Sequence, residues 1–158
     1  MTQIGVIGSG ILEDESIYKI AYEVGREIAL NNFILICGGK GGVMEAVCKG
    51  VKDANGISVG ILPSIDKNEA NDFVTIKIPT NLGEDRNYIV VQSSEIVICI
   101  AGQVGTKIEA DYTLKLKKPL ITIPRTGGIS LEITKKRPKS VYPVNNPKEA
   151  IQKVLKLI

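Results

Sequence analysis

At 158 residues the chain has the size of one ordinary domain, long enough to bury a core without disulfides or metals, so a single domain over 1–158 is expected. Its 44% hydrophobic and only 4% aromatic content, rich in Ile and Val, suits parallel strands better than an aromatic-rich β-sandwich. The net charge of +3 is unevenly spread, with 8 basic and 13 acidic groups in residues 1–100 against 12 and 4 in residues 101–158.

Ile4 to Ile7 is predicted as a first strand ended by Gly8-Ser9-Gly10, and Ser16 to Leu30 as a helix with Ile17, Ile20, Ala21, Val24 and Ile28 at helical spacing. The unit repeats. Phe33 to Cys37 makes a second strand, Gly38-Gly39-Lys40-Gly41-Gly42 a turn, and Val43, Met44, Val47, Cys48 and Val51 the apolar positions of a second helix. Ile57 to Leu62 is a third strand stopped by Pro63, and the alternating Phe73 to Ile78 reads as a strand near a sheet edge. Pro79 to Gly83 is a loop and Glu84 to Ser93 a short helix. Ile96 to Ala101, rich in β-branched residues, has the pattern of a central strand buried on both faces. Gly102 to Gly105 ends it, and a helix follows from Thr106 to Lys117. Leu120 to Ile123 is a further strand, Thr126-Gly127-Gly128 a turn, and Leu131 to Pro138 is ambiguous. Val141 to Val144 is a last strand, and Asn146 caps a final helix with Pro147 at its first position.

Strands alternating with helices imply an α/β architecture, a doubly wound, Rossmann-like and mostly parallel sheet with helices on both faces. Ligands of such folds lie beyond the carboxyl ends of the strands. There the three glycine turns converge, and Gly8, Ser9, Gly10, Gly38, Gly39, Gly42, Gly102, Gln103, Gly105 and Thr106 become candidates for binding a phosphate-bearing ligand at helix N-termini. A dinucleotide is disfavoured, because Gly8-x-Gly10 continues into Ile11, Leu12 and Glu13, and the second strand ends without a carboxylate. No Walker A motif occurs. Without histidine the chain has no Ser-His-Asp triad, no Cys-His pair and no histidine metal site, so no metal is expected. Cys37, Cys48 and Cys99 form no C-x-x-C and are expected to pack in the core. The cluster Lys135, Lys136, Arg137, Lys139 has only Tyr142 as an aromatic neighbour, which reads as a solvated loop rather than a nucleic-acid surface. No apolar run approaches the roughly 18 residues that span a bilayer, and Met1-Thr2-Gln3-Ile4 has no signal-peptide character, so a cytoplasmic protein is expected.

In chain order, Gly38-Gly39-x-x-Gly42-Val43-Met44, Gly60-Ile61-Leu62-Pro63, Arg86-Asn87 and Gly102-x-x-Gly105-Thr106-x-x-Glu109 resemble the signatures of the Lonely Guy-like proteins, a group long labelled "possible lysine decarboxylase". The G-G-x-x-G-V-M and Arg-Asn forms are similar to its molybdenum-cofactor-carrier-type branch. The resemblance implies a homodimer or larger homo-oligomer, with a nucleotide or pterin cofactor as ligand. Its leading functional implication is a phosphoribohydrolase, which cuts the N-glycosidic bond of a nucleoside 5′-monophosphate and requires no cofactor. In that reading Glu109 and Arg86 are catalytic. Glu109 would stabilise the oxocarbenium-like state, Arg86 would bind phosphate or assist the departing base, and Asn87 would orient the ligand. The alternative is a non-catalytic carrier of a molybdopterin-type cofactor, or a nucleotide-sensing module. The enzymes' motif reads P-G-G-x-G-T-x-x-E, whereas this chain has Ala101 for the proline and Gln103 for the second glycine, and Arg86-Asn87 stands where the enzymes have Arg-Lys. A side chain at 103 narrows the phosphate cradle or imposes a backbone geometry that glycine would not need.

Overall fold

Short apolar runs rich in Ile and Val become strands, and the segments with helical apolar spacing become helices laid across them. The computed structural model describes all residues, Met1 to Ile158. Its elements are β1 (Gln3–Gly8), α1 (Glu15–Leu30), β2 (Ile34–Cys37), α2 (Val43–Asp53), β3 (Ile57–Leu62), β4 (Ile76–Pro79), α3 (Arg86–Gln92), β5 (Ile96–Ile100), α4 (Val104–Lys115), β6 (Leu120–Thr122), α5 (Gly128–Lys136), β7 (Tyr142–Pro143) and α6 (Pro147–Leu157). The seven strands form one sheet in the order β4-β3-β2-β1-β5-β6-β7. Every pairing is parallel.

Side-chain alternation divides the core between the two faces of this sheet. In β5, Ile96, Ile98 and Ile100 join Ile4 and Val6 of β1 beneath α1, α2 and α6. Val97 and Cys99 face the other way, with Ile7, Ile36 and Ile61, beneath α3, α4 and α5. All five β5 residues are buried, as a strand covered on both faces requires. Helices α1 and α2 cross where both carry glycine. A Cβ on Gly25 would strike the Val47 carbonyl, and one on Gly50 the Tyr22 carbonyl, so only two glycines permit this approach. All three cysteines are free and buried. No helix is long and apolar enough to cross a membrane.

Several boundaries depart from the sequence expectation. β4 begins at Ile76 instead of Phe73, because Asn71 Oδ1 accepts from the Phe73 N–H at 3.0 Å and Ser58 Oγ from the Thr75 N–H at 3.0 Å. Side chains there take bonds that a strand ladder would need. It is nevertheless an edge strand, with Ile76 and Ile78 exposed. α3 starts at Arg86, after a 3-10 turn over Gly83–Asp85, and α4 starts at Val104, which places Gly105 inside its first turn. The ambiguous stretch is helical from Gly128 to Lys136. Its start depends on distant carbonyls, since the Ile129 N–H donates to Gly102 O at 3.1 Å and the Ser130 N–H to Ala101 O at 3.0 Å. The last strand shrinks to Tyr142–Pro143. The final helix begins as expected, with Asn146 Oδ1 accepting from the Glu149 N–H at 2.9 Å.

Candidate functional site

A parallel sheet places every strand's carboxyl end on one edge, and neighbours β1 and β5 are where the strand order reverses. Gly8, at the end of β1, lies in register with Ile100, at the end of β5. A cleft of about 320 Å³ opens there. Gly8, Ser9 and Gly10 line it from the first turn, Gly38 from the second, Arg86 and Asn87 from α3, Gln103 from the third turn, and Gly105, Thr106 and Glu109 from α4. The candidates Gly39, Gly42 and Gly102 do not line it. They shape the turns behind its wall, each with a positive φ, at 74°, 64° and 112° respectively.

The loops are tied together from several sides. Ser9 Oγ accepts from the Gly102 N–H at 2.9 Å, joining the first turn to the third. The Val43 N–H donates to Ser9 O at 2.8 Å, joining the second turn to the first. Thr126 Oγ1 accepts from the Ala101 N–H at 2.8 Å. α1 and α6 have side-chain caps, whereas α2, α3, α4 and α5 have none, and of these α2 and α4 begin at the cleft. The Val43 N–H of α2 is already taken by Ser9 O, whereas the first-turn N–H groups of α4 stay open to a ligand.

Arg86 supplies the positive charge. It is 5% exposed, and one terminal nitrogen donates to Gly38 O and, at 2.8 Å, to Ile61 O, at the ends of β2 and β3. Gly38 must be glycine, because a Cβ there would overlap this guanidinium. The buried Arg86 Nε has no partner in the protein. A buried N–H without an acceptor costs about 1–3 kcal/mol, which an anionic ligand would recover. Opposite stands Glu109, half-buried, whose carboxyl is pushed up to about 8 by burial, against the lowering pull of Arg86. At neutral pH it is mainly protonated. Asn87 is buried, with its amide nitrogen 3.4 Å from Glu84 Oε2. Thr106 is also buried, packed against the Gly102 backbone, while Gln103 is exposed at the rim.

Residues outside the candidate set also line the cleft, among them Lys40, Met44 and Glu84. Lys40, which sequence reading leaves as an exposed lysine, lines the cleft with its Nζ 3.8 Å from Glu69 Oε2. Met44, expected in the core, contributes to the wall, as does Glu84. Only the G-G-K-G-G spacing hinted at Lys40, and nothing local marked Glu84.

Ala101 explains the departure from the Pro-Gly-Gly form. Its φ is 52°, a left-handed conformation that proline, locked near −65°, does not adopt. Gln103 has φ −126°, an extended backbone with no requirement for glycine. Ala101→Pro is therefore expected to cost about 3 kcal/mol or more, because it also removes the N–H that bonds Thr126. Urea unfolding will check this; a variant as stable as the parent would show that the loop readily takes the enzyme-like path.

The model of the SLOG cluster4 family matches residues 1–151. An uncharacterized protein of Archaeoglobus fulgidus is 46% identical over 123 residues, which cover 78% of this chain and 80% of that protein. Among solved structures, the molybdenum cofactor binding protein of Rippkaea orientalis aligns with a TM-score of 0.89 and 34% identity, covering 99% of this chain and 96% of that one. The molybdenum cofactor carrier protein of Chlamydomonas reinhardtii aligns with a TM-score of 0.84 and 33% identity, covering 99% and 98%.

Proposed function

Because this chain belongs to the SLOG cluster4 family, with two molybdenum cofactor proteins 34% and 33% identical over nearly its whole length, we propose that it binds and carries a phosphate-bearing pterin of the molybdopterin type, without turnover. The carrier thus moves ahead of the phosphoribohydrolase, reversing the order in which the motifs rank them. The observation that carries the proposal is the buried, unpartnered Arg86 Nε beside the uncapped start of α4. Together they make an anion site of a kind the fold itself leaves incomplete.

In this reading Arg86 and the N–H groups of Gly105 and Thr106 hold the phosphate, and Lys40 adds a second cation. Met44 and Ile11 offer apolar surface to the ring system. A volume of about 320 Å³ lies at the small end of ligand sites, roughly 300–1,000 Å³, and suits one ring system with its phosphate better than a dinucleotide. The bound cofactor supplies the metal-binding chemistry, which the chain leaves for a recipient to use.

Two features weigh against hydrolysis. Burial raises the proton affinity of the Glu109 carboxyl and so reduces the negative charge it offers a ribosyl cation, and the loop through Ala101 lacks the geometry of the enzymes' Pro-Gly-Gly. Incubating the purified protein with molybdopterin-containing extract should leave a fluorescent pterin bound at one equivalent per chain after desalting. Nucleoside 5′-monophosphates should yield no free base. Base release at catalytic rates, with no pterin retained, would restore the hydrolase.

A further inference from the structure

Two of the three cysteines are neighbours in space. Cys37 closes β2 and Cys48 stands within α2, and their sulfurs approach to 3.5 Å in the core beneath that helix, one thiol donating to the other. Cys99, equally buried on the opposite face of the sheet, turns its thiol to the Ala101 carbonyl instead, at 3.8 Å. A disulfide needs its sulfurs about 2.05 Å apart, so the pair has about 1.5 Å to close between side chains that already point at each other. The pair also adjoins the ligand cleft. Gly38, whose carbonyl accepts from Arg86, directly follows Cys37. Met44 lies one turn before Cys48 on the same side of α2, lines the cleft and packs its sulfur against Gly38.

We propose that Cys37 and Cys48 are a redox-active pair which hydrogen peroxide converts to a disulfide, and that this disulfide weakens anion binding in the cleft. The first half stands on the thiols alone; the second rests on the reading of the cleft as an anion site. Cys48 is the nucleophile. A hydrogen bond from the Cys37 thiol holds it below the ordinary thiol range against the effect of burial, with Asn71 and Ser58 assisting, while the same bond and burial push Cys37 well up. The Cys48 thiolate attacks one peroxide oxygen, the O–O bond breaks, and the other oxygen leaves as water with the proton that the Cys48 thiol released. Cys37 Sγ then attacks the resulting Cys48 sulfenic acid. The S–S bond forms, the S–O bond breaks, and hydroxide leaves as water with the Cys37 proton. Two thiols give up two electrons in all, and the peroxide takes them. Burial restricts the reaction to an oxidant little larger than water, which selects peroxide over bulky disulfides. Closing the bond draws the end of β2 towards α2, and the guanidinium held by Gly38 O shifts with it.

The test treats the reduced full chain with hydrogen peroxide, then denatures it and alkylates it with iodoacetamide. Cys99 should be the one cysteine alkylated, and trypsin should release Glu27–Lys40 and Gly41–Lys49 joined by a bond that dithiothreitol cleaves. Alkylation of all three cysteines, or oxidation of Cys99 as fast as of the pair, would overturn the proposal. Cys37→Ala should leave a Cys48 sulfenic acid that dimedone traps, and Cys48→Ala should slow oxidation of Cys37 on the order of tenfold. Equal rates in the two variants would reject Cys48 as the nucleophile. Titration with ribose 5-phosphate decides the second half. The oxidised chain should bind about tenfold more weakly than the reduced chain, the equivalent of one misaligned charge-assisted hydrogen bond. Dithiothreitol should restore the affinity, which distinguishes the disulfide from oxidation of Met44. Binding of equal strength in both redox states would reject the coupling. No binding in either state would remove the anion site and the coupling with it, while the peptide map still decides the disulfide.

Discussion

Arg86→Ala is expected to lower affinity for ribose 5-phosphate on the order of a hundredfold and to lower the melting temperature by roughly 10 °C. The two effects come from different atoms of one side chain. The terminal nitrogen bonded to Gly38 O and Ile61 O holds the ends of β2 and β3 together, while the unpartnered Nε serves the ligand. Bonds to a charged donor are worth about 1.5–3 kcal/mol each, and removing the donor also leaves two carbonyls with nothing in its place. Against this, losing a buried charge relieves part of its desolvation cost. A net loss of about 3 kcal/mol remains, and at about 2–4 °C per kcal/mol for a chain of this size it gives the stated shift. Arg86→Lys keeps the charge but not the planar fork, so it should recover more of the melting temperature than of the affinity. Thermal melts and titration calorimetry on both variants test this directly. If Arg86→Ala binds as well as the parent, the cleft is not an anion site.

The second large effect is a pH dependence that disappears in Glu109→Gln. The carboxyl stands at about 8 in the folded chain against an ordinary 4.5, so between those values the folded state holds a proton that the unfolded state has released. Its contribution to stability is complete below the ordinary value and is lost as pH rises through about 8. The melting temperature of the parent should therefore fall more steeply between about pH 5 and about pH 8 than that of Glu109→Gln, whose amide does not titrate. Ligand binding follows the same group. Ribose 5-phosphate is essentially a dianion above about pH 7, and over the next two pH units Glu109 acquires a negative charge beside Arg86. Affinity should then drop on the order of tenfold, and the drop should be absent in Glu109→Gln. Equal slopes in the two proteins would mean that Glu109 titrates in its ordinary range, which would return to it the charge that a hydrolase needs.

Most of the fold was legible in the chain because its signals are local. The β-branched-rich apolar run Ile96–Ile100, helical spacing from Ile17 to Ile28, the glycine turns after β1, β2 and β5, and Asn146-Pro147 each act within a few residues. Parallel strands then leave the turns no choice of edge, so the cleft's position followed from topology. Its motif residues also mark the chain as a relative of cofactor carriers, although the motifs alone ranked hydrolysis first. What tertiary structure decided depends on partners far away in sequence. The start of α5 is set by carbonyls of Ala101 and Gly102, more than 25 residues earlier. Arg86 is fixed by Gly38, 48 residues away, and its open Nε exists only because the folded protein offers that nitrogen no acceptor. Glu109 looks like any helix glutamate until neighbouring elements partly bury it and raise its proton affinity. The apolar positions Val104, Ile108 and Leu116 of α4 are visible in the sequence, but whether they are covered depends on which face the sheet takes, and the sheet takes the side bearing Ala110. Desolvation and long-range hydrogen bonds depend on what packs against a residue, and no stretch of sequence around that residue contains the information.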